Sequence, residues 1–413
     1  MSEIIQSSLI QFSVANFKCF KDRVDFSMVT RKDSKNNFQI QKNWDFLLKS
    51  SVIFGPNASG KSTLLEWLEF MRRKILSSTH EESIEQLGFS NFLMEEWYQS
   101  KPAFFEMIFL IWNNIYRYNF SMLSDHTVVD ENLYKVNKNS EKELFSRKWQ
   151  KIEMIDSFTK DKDLKARTKE KYLFLSVANQ WNVKIADNIA AFFIWWIALI
   201  KWHGIHNFSG YTKKRIEEKW FKSKILKYLS IADFSMKDIQ VIDEELEIPI
   251  KLREIIWEKE RKKKKVIFTH PVFDNDGAKI WDIEIDEENQ STWTMNFFNE
   301  LGPIIDTLES WKVLLVDELD ASLHPDLCDF IIQLFHSLET NPYNAQLIFT
   351  SHNYRFLENP KIHRDEFWFT ERNKYGSSNL FSLAEFKERN TSDFYKQYFE
   401  WRFGARPFIT NIF

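Results

Sequence analysis

The chain has 413 residues, which is enough for one large domain or two modest ones. Its formal net charge is −3, which gives no global reason to expect a nucleic-acid or membrane surface. Its two cysteines, Cys19 and Cys328, are too few for a disulfide framework and suit a reducing compartment. Because the first eight residues also lack the basic and apolar regions of a secretory signal, we expect a cytoplasmic protein.

A glycine-rich loop lies between a short strand and a helix in the first part of the chain. Val52–Phe54 is apolar, the pattern GxxxxGKS follows, and a helix-forming run begins at Leu64. This order predicts a Walker A loop, in which backbone N–H groups and the helix N-terminus surround nucleotide phosphates. Lys61 is expected to reach the terminal phosphates and Ser62 to ligate magnesium. The predicted nucleotide-binding residues of the loop are Gly55, Pro56, Asn57, Ala58, Ser59, Gly60, Lys61, Ser62 and Thr63.

An insertion is expected between this loop and the next motif, because the gap exceeds what a nucleotide-binding core requires. Phe104 to Phe120 alternates apolar and polar residues about an Asn-Asn turn and predicts a hairpin. Residues 138–234 are charge-rich and predict a compact helical arm, since no heptad pattern persists long enough for a coiled coil. The expected divisions are 1–137, 138–234 and 235–413, with the first and third forming the two parts of one nucleotide-binding unit.

The apolar run from Ile189 to Ile200 could be mistaken for a membrane span. A spanning helix needs about 20 apolar residues, and this run is shorter and bracketed by Asn188 and Lys201. We therefore expect a buried or partner-facing helix here and no membrane association.

A run of five basic residues, 261–265, is the one concentrated patch of positive charge. Two interpretations remain open: a solvated end of the hairpin expected at 266–285, whose turn is at 274–277, or contact with the phosphates of a nucleic acid. Several glutamates just before the run lower its positive electrostatic potential.

Two further strand ends supply candidate catalytic groups. Val313–Val316 is an apolar run that ends in Asp317 and Glu318, which predicts a Walker B pair. Asp317 is expected to hold magnesium, and Glu318 to orient or deprotonate the attacking water. Another apolar strand, 345–351, precedes His352, which could hydrogen-bond a γ-phosphate.

The order of these motifs, with DELDxSLHP at 317–325, resembles the RloA/AbiLi-type ATPases, relatives of the RecF, SMC and OLD heads found in bacterial anti-phage loci. The opening strand at 9–20 and the tail at 402–409 add to the resemblance. It implies an α/β fold: a P-loop NTPase of the ABC-type ATPase head, with a mixed β-sheet lobe and an inserted helical arm. ATP and Mg²⁺ are the implied ligands.

The resemblance also implies a homodimer or higher oligomer in which two heads meet head to tail around ATP. A signature segment from the second subunit would then complete each site, and the matching residues are Ser291, Thr292, Trp293 and Thr294. Trp293 stands where the family has glycine, and an indole prevents the close backbone approach that glycine permits. Lys18 is a candidate phosphate contact where the family often has arginine.

These inferences predict an ATPase with slow turnover that acts as the sensor and regulatory subunit of an abortive-infection system. Little chain follows His352, so we expect the effector to be a separate protein, and the resemblance points to an RloB-like or Toprim-type nuclease. Two alternatives stay open. One is a RecF/SMC-like repair ATPase that binds DNA directly, and the other is a scaffold stabilised by nucleotide with little turnover.

Overall fold

The computed structural model describes eleven stretches of the chain, and all structural statements refer to them: 7–30, 36–39, 46–77, 79, 88–195, 197–201, 206–232, 235–245, 262–321, 323–386 and 394–399. The chain folds as two compact units. The first comprises Met1–Ile200, Leu308–Leu319 and Ile332–Phe413, and the second comprises Lys201–Thr307 and Asp320–Ile331.

Strands occur in both units. In chain order, the strands of the described residues are β1 (Ser7–Ala15), β2 (Val24–Ser27), β3 (Val29–Thr30), β4 (Asn37–Gln39), β5 (Phe46–Leu48), β6 (Ser50–Phe54), β7 (Ala103–Ile111), β8 (Asn114–Met122), β9 (Val128–Asn137), β10 (Ser140–Lys148), β11 (Lys151–Met154), β12 (Ile197–Lys201), β13 (Asp238–Glu245), β14 (Lys262–Phe273), β15 (Lys279–Asp286), β16 (Val313–Asp317), β17 (Gln346–Ser351), β18 (Phe367–Arg372) and β19 (Ser378–Ser382).

Helices occur in both units. The α-helices are α1 (Lys61–Ser77), α2 (Glu96–Gln99), α3 (Leu164–Arg167), α4 (Phe174–Gln180), α5 (Lys184–Trp195), α6 (His206–Arg215), α7 (Lys219–Ile231), α8 (Thr292–Leu308), α9 (Pro325–His336) and α10 (Phe394–Phe399). Single turns of 3₁₀ helix occur at Glu287–Asn289, Tyr354–Glu358, Arg364–Glu366 and Leu383–Glu385.

Two large sheets organise the first unit. The seven-stranded sheet has the order β11-β10-β9-β8-β7-β1-β2, and its neighbouring strands are antiparallel. The six-stranded sheet has the order β12-β16-β17-β6-β18-β19, with β16, β17, β6 and β18 parallel to one another and β19 antiparallel to β18. The smaller β3-β5-β4 sheet also belongs to this unit.

Helix α1 is held in the core of the first unit by its apolar face. Trp67 is fully buried, and its ring stacks on Phe12 of β1 with centroids 4.5 Å apart. Phe12 in turn stacks on Phe26 of β2 at 4.7 Å. Strand β6 is buried along its whole length, as expected for an interior strand of a parallel sheet. This packing fixes the loop between β6 and α1.

The second unit contains the three-stranded antiparallel sheet β13-β14-β15. Phe268 of β14 is fully buried, and its ring meets that of Phe298 on α8 edge-on at 5.3 Å. The sheet is therefore packed against α8 along part of one face.

The predicted fold class is confirmed: the protein is α/β, with mixed sheets and a loop of Walker A sequence between β6 and α1. The predicted hairpins are also confirmed, as β7–β8 and as β14–β15 with a turn closed by Asp274 and Ala278. The longest described helices, α1 and α8, have 17 residues each.

The helical character predicted from residue 138 is wrong for its first part. Residues 140–154 form β10 and β11, which extend the seven-stranded sheet, and helices begin at Leu164. The charged residues that suggested a helix lie where the sheet is exposed, and Glu141 of β10 pairs with Arg117 of β8. The boundary of the second unit at residue 201 likewise differs from the expected divisions at 138 and 235.

The apolar run 189–200 is divided between two elements, which corrects the prediction of one helix. Helix α5 ends at Trp195, and β12 occupies 197–201 at the edge of the six-stranded sheet. No helix among the described residues is both long enough and apolar enough to cross a bilayer.

Candidate functional site

The candidate site lies where four parallel strands end. Phe54 is in register with Ser351, and Val316 with Phe349, so β6, β17 and β16 finish at the same edge of the sheet. Residues that follow parallel strands at this edge meet in space. The topology therefore places the Walker A loop, Glu318 and His352 together.

Glycine at position 60 of the loop is required by its surroundings. Gly60 has φ +110°, and a Cβ there would lie 2.9 Å from both Cys19 Sγ and Phe20 Cζ. A second close approach occurs at Gly55, where a Cβ would lie 2.2 Å from Thr370 Oγ1. Side chains at either position would displace the loop, because its backbone is pressed against β18 and the turn after β1.

Lys61 is the first residue of α1 and points back into its own loop. Its Nζ donates to the carbonyl oxygens of Gly55 at 2.7 Å and Pro56 at 3.1 Å. The side chain is 5% exposed. An ammonium group held by two carbonyls can exchange them for phosphate oxygens without leaving the loop.

Asp317 is connected to the loop and to β17 through one of its oxygens. Ser62 Oγ donates to Asp317 Oδ1 at 3.1 Å, and Thr350 Oγ1 donates to the same oxygen at 2.7 Å. The Thr350 hydroxyl also accepts a hydrogen bond from the backbone N–H of Glu318 at 2.7 Å. Thr350 is fully buried, so its position is fixed by β17.

Glu318 and His352 face each other in the pocket. His352 Nε2 lies 3.6 Å from Glu318 Oε1, and both side chains are partly exposed. Glu318 has φ +58°, a left-handed conformation that is uncommon for a residue with a side chain. Strained backbone of this kind persists when the surroundings fix it, as the Thr350 hydrogen bond does here.

Lys61, Ser62, Glu318 and His352 line a common pocket of about 460 Å³, whereas Gly55, Pro56 and Asp317 are not part of its described lining. Lys18 is part of the wall, with φ +50° and its Nζ 2.8 Å from Glu66 Oε2. Two residues that the sequence did not single out, Cys19 and Arg372, also line it. The described residues that line it are Lys18, Cys19, Asn57, Ala58, Ser59, Gly60, Lys61, Ser62, Thr63, Glu318, His352 and Arg372.

Ser62 and Asp317 fit a magnesium ion. A hydroxyl and a carboxylate are the oxygen ligands this ion prefers, and Mg²⁺ commonly takes its remaining ligands from water and substrate phosphates. Among the described residues, no group of three or more His, Cys, Asp or Glu side chains is placed to hold a metal by itself. Two oxygen ligands of this kind would suit an ion that completes its coordination with nucleotide phosphates and water.

The predicted signature segment belongs to the second unit, at the start of α8. Ser291 Oγ accepts a hydrogen bond from the backbone N–H of Thr294 at 3.1 Å, which is the geometry of a helix N-cap. The two hydroxyls are 2.7 Å apart. Trp293 is 48% exposed, with its ring 6.0 Å from that of His324. Thr292 is the first residue of the helix.

Comparison with known proteins adds a family match. Residues 50–195 and 301–358 match the family described as "AAA domain, putative AbiEii toxin, Type IV TA system". No curated protein matches the chain. The matched segments contain the Walker A loop, Asp317, Glu318 and His352.

Two solved structures have similar folds. One is the SMC head domain from Thermotoga maritima, with 12% identity, a TM-score of 0.39 and coverage of 91% of this chain and 98% of that chain. The other is described as the SmcHead bound to the C-winged helix domain of ScpA, with 12% identity, a TM-score of 0.40 and the same coverage. The family match, over just under half of the chain, and the fold together define an α/β protein with a Walker A loop between a parallel strand and a helix.

Proposed function

We propose that this chain binds ATP with magnesium and hydrolyses it, using Glu318 as the catalytic carboxylate. The observation that carries the proposal is the convergence of Lys61, Glu318 and His352 in one pocket, although they come from three separate parts of the chain. Each lies at the carboxyl edge of the same parallel sheet, where substrates bind in α/β proteins.

The residues of the pocket divide the work by their chemistry. Lys61 exchanges the carbonyls of Gly55 and Pro56 for terminal phosphate oxygens, whose negative charge it stabilises. Glu318 orients the attacking water and accepts its proton, while His352 beside it hydrogen-bonds the γ-phosphate. Magnesium, held through Ser62 and Asp317, supplies further charge neutralisation when bound.

Paired substitutions test the hydrolytic role. Glu318→Gln keeps the shape of the side chain but cannot accept a proton, so kcat should fall by about 10² or more while ATP binding persists. Lys61→Ala should lose ATP affinity itself. Equal hydrolysis rates for the wild-type protein and Glu318→Gln would exclude Glu318 as the catalytic group, and normal ATP affinity in Lys61→Ala would exclude the phosphate assignment.

The biological role that we propose is that of a sensor and regulatory subunit in bacterial anti-phage defence by abortive infection. Its support is the match to a family described as a putative toxin of a toxin–antitoxin system, together with the resemblance to RloA/AbiLi-type ATPases. ATP would close a head-to-tail dimer, and the closed and open forms would present different surfaces to a separate nuclease effector.

A plating assay tests this role. Cells that carry the chain with its neighbouring reading frame should resist phage, and Lys61→Ala should abolish the resistance. Growth arrest of infected cells in liquid culture distinguishes abortive infection from direct killing of the phage. Unchanged plaque counts across a broad phage panel would contradict the defence role without affecting the ATPase proposal.

One observation favours a nucleotide-stabilised scaffold as a second candidate. Trp293 places a large, 48% exposed indole in the segment that would approach the second nucleotide site. Trp293→Gly should raise ATP turnover if the indole holds the two heads apart. A rise would show that the indole limits turnover in the wild-type protein, as the scaffold role requires, and unchanged turnover would remove this support for the scaffold.

The DNA-binding alternative gains no support from the basic run. Lys265 pairs with Glu244 at 3.2 Å and with Asp286 at 3.0 Å, and Lys264 pairs with Glu217. Lys262–Lys265 form the start of β14, opposite Ile242–Glu245 of β13 and beyond the part of β14 that pairs with β15, which agrees with their predicted place at the end of that hairpin. Ion pairs within the protein therefore account for Lys264 and Lys265 without a nucleic acid.

A further inference from the structure

A second cavity lies at the edge of the parallel sheet opposite to the candidate nucleotide site. Ser50 is the first residue of β6, whereas the Walker A loop follows the last residue of that strand, Phe54. Glu366 directly precedes β18, which is parallel to β6, and His336 is the last residue of α9. Ser50, His336 and Glu366 are in contact at this amino edge of the sheet. The cavity that His336 lines is therefore separate from the nucleotide pocket.

Glu366 is a fully buried carboxylate whose charge is satisfied within the protein. Its Oε1 accepts hydrogen bonds from Asn36 Nδ2 at 2.5 Å and from the backbone N–H of His363 at 2.8 Å. Its Oε2 accepts a hydrogen bond from Ser50 Oγ and lies 2.9 Å from His336 Nε2. A carboxylate held by four donors fixes the ring beside it and needs no ligand of its own.

These contacts fix the orientation and the tautomer of His336. Ser50 Oγ lies 2.8 Å from His336 Nε2 and gives its own proton to Glu366, so both neighbours of Nε2 are acceptors. Nε2 therefore carries a proton, because the hydrogen bond made by one ring nitrogen decides the state of the other.

The second ring nitrogen of His336 is left to the cavity. The hydrogen bonds of the ring among the described residues both use Nε2, and the ring lines the cavity. His336 is only 8% exposed. A buried polar nitrogen is ordinarily hydrogen-bonded, so Nδ1 points to a ligand that supplies its partner.

The cavity has the size and the charge of a pocket for a small anion. Its volume is about 560 Å³, within the range of about 300–1,000 Å³ that is usual for small-molecule sites. Lys361 Nζ donates to Gln333 Oε1 at 2.9 Å, so the amide nitrogen of Gln333 remains a donor. Among the residues that the structure describes, the lining carries an ammonium group and two imidazoles but no carboxylate: Asn36, Gln333, His336, Ser337, Pro360, Lys361 and His363.

The imidazole favours a phosphate group over other anions. A phosphate monoester shares one proton with an imidazole nitrogen in either direction: the protonated ester donates to a neutral ring, and the dianion accepts from an imidazolium. A sulfate ion has no proton to donate at neutral pH, so it can only accept. The cavity also has room for an organic part beyond the phosphate group.

We propose that this cavity binds a small molecule that carries a phosphate monoester. Nδ1 of His336 and the ammonium group of Lys361 contact the phosphate oxygens, and the amide of Gln333 adds a third hydrogen bond. Charge-assisted hydrogen bonds of this kind are the strongest that a protein offers to a phosphate group.

The test is an NMR titration of the full chain labelled with ¹³C at the Cε1 atoms of its histidines, at constant pH and ionic strength. Glycerol 3-phosphate is the probe, and glycerol and inorganic sulfate are the comparison ligands. The His336 resonance, assigned by its loss in His336→Gln, should shift in a saturable way with glycerol 3-phosphate, not at all with glycerol, and with weaker affinity for sulfate. The His352 resonance reports the nucleotide pocket in the same spectra.

Two substitutions and a matched control trace the binding to the cavity. His336→Gln keeps an amide N–H towards Glu366 but has no nitrogen at the Nδ1 position, and Lys361→Met removes the charge. Each should weaken binding, followed at His363, at least about tenfold. Lys374→Met, at an exposed lysine outside the lining, should bind as the wild type does. Thermal unfolding checks that His336→Gln is folded, and the exposed Lys361 supplies a variant that leaves the buried contacts intact.

Four results would overturn the proposal. One is the absence of a saturable shift at His336 with glycerol 3-phosphate, and another is a shift confined to His352, which would place the phosphate at the nucleotide site. A third is wild-type affinity in Lys361→Met, or a loss that Lys374→Met shares. The fourth is equal affinity for sulfate, which would remove the preference for a phosphate monoester.

Discussion

Thr350 donates its hydroxyl proton to Asp317 Oδ1 at 2.7 Å and thereby connects two neighbouring strands of the parallel sheet at the candidate site. The same oxygen atom of Thr350 accepts the backbone N–H of Glu318. One buried hydroxyl therefore orients the carboxylate that fits magnesium and fixes the strained backbone of the proposed catalytic residue.

Replacement of this hydroxyl tests its positioning role. Thr350→Val keeps the shape but leaves the Glu318 N–H without its acceptor and Asp317 without one donor, which costs about 1–3 kcal/mol for a buried group. We expect the kcat for ATP hydrolysis to fall about tenfold or more and the magnesium concentration for half-maximal activity to rise. Thr350→Ser, which retains the hydroxyl, should stay near wild type. Identical kinetics in the two variants would contradict the role.

The conformation of Gly60 predicts a specific loss of nucleotide affinity. In Gly60→Ala, the added methyl group would meet Cys19 and Phe20 at 2.9 Å in a backbone conformation that alanine rarely adopts. The loop must then shift, and we expect ATP affinity, measured by calorimetry, to fall at least about tenfold.

The control for this substitution is Gly210→Ala in helix α6. A Cβ at Gly210 meets nothing within 4 Å, and alanine favours a helix by about 0.5–1 kcal/mol relative to glycine. This variant should bind ATP normally. Normal ATP affinity in Gly60→Ala would show that the loop tolerates the methyl group.

Motifs with fixed spacing allowed the sequence to predict much of the site, because the chemistry of phosphate binding requires a glycine loop, a lysine and strand-end carboxylates in a set order. Arg372 and Cys19 have no such motif. Arg372 reaches the pocket because β18 lies beside β6, and this strand order is set by packing across the whole sheet. The strands at 140–154 were missed for a related reason, since Glu141 is balanced by Arg117 on a strand distant in sequence.

Arg372 should contribute to nucleotide affinity through its charge. Its guanidinium lines the pocket, and Nε donates to the carbonyl of Gly376 at 3.0 Å. Arg372→Ala removes a positive charge from a polyanion site, and we expect ATP to bind about threefold to tenfold more weakly at low salt and the difference to shrink at high salt. Arg355→Ala, at an exposed arginine outside the pocket lining, is the control. Equal loss of ATP affinity in the two variants would indicate that the overall positive charge of the protein, and not a contact of Arg372 in the pocket, causes the effect.

Helix α1, which begins at the Walker A loop, carries a second buried lysine besides Lys61, namely Lys74. It is fully buried, and its Nζ donates to the carbonyl of Lys171 at 2.9 Å. Burial lowers the pKa of Lys74 to about 7, Glu131 opposes this shift, and Arg147 and Lys171 add to it. The unfolded chain keeps the ordinary pKa of 10.5. Between these two values the unfolded state binds more protons, so the free energy of unfolding should rise with pH.

Lys74→Met removes this titration, which predicts a change in the pH dependence of stability. In the wild-type protein, the titration of Lys74 should raise the free energy of unfolding by at most about 1.4 kcal/mol for each pH unit between pH 7.5 and 9.5. Burial lowers the pKa of His126 to about 4, so that group stays neutral throughout this window and does not contribute. Urea unfolding of both proteins at several pH values measures the difference. The wild-type advantage over Lys74→Met should grow as pH rises, and parallel curves for the two proteins would mean that Lys74 titrates normally in the folded state.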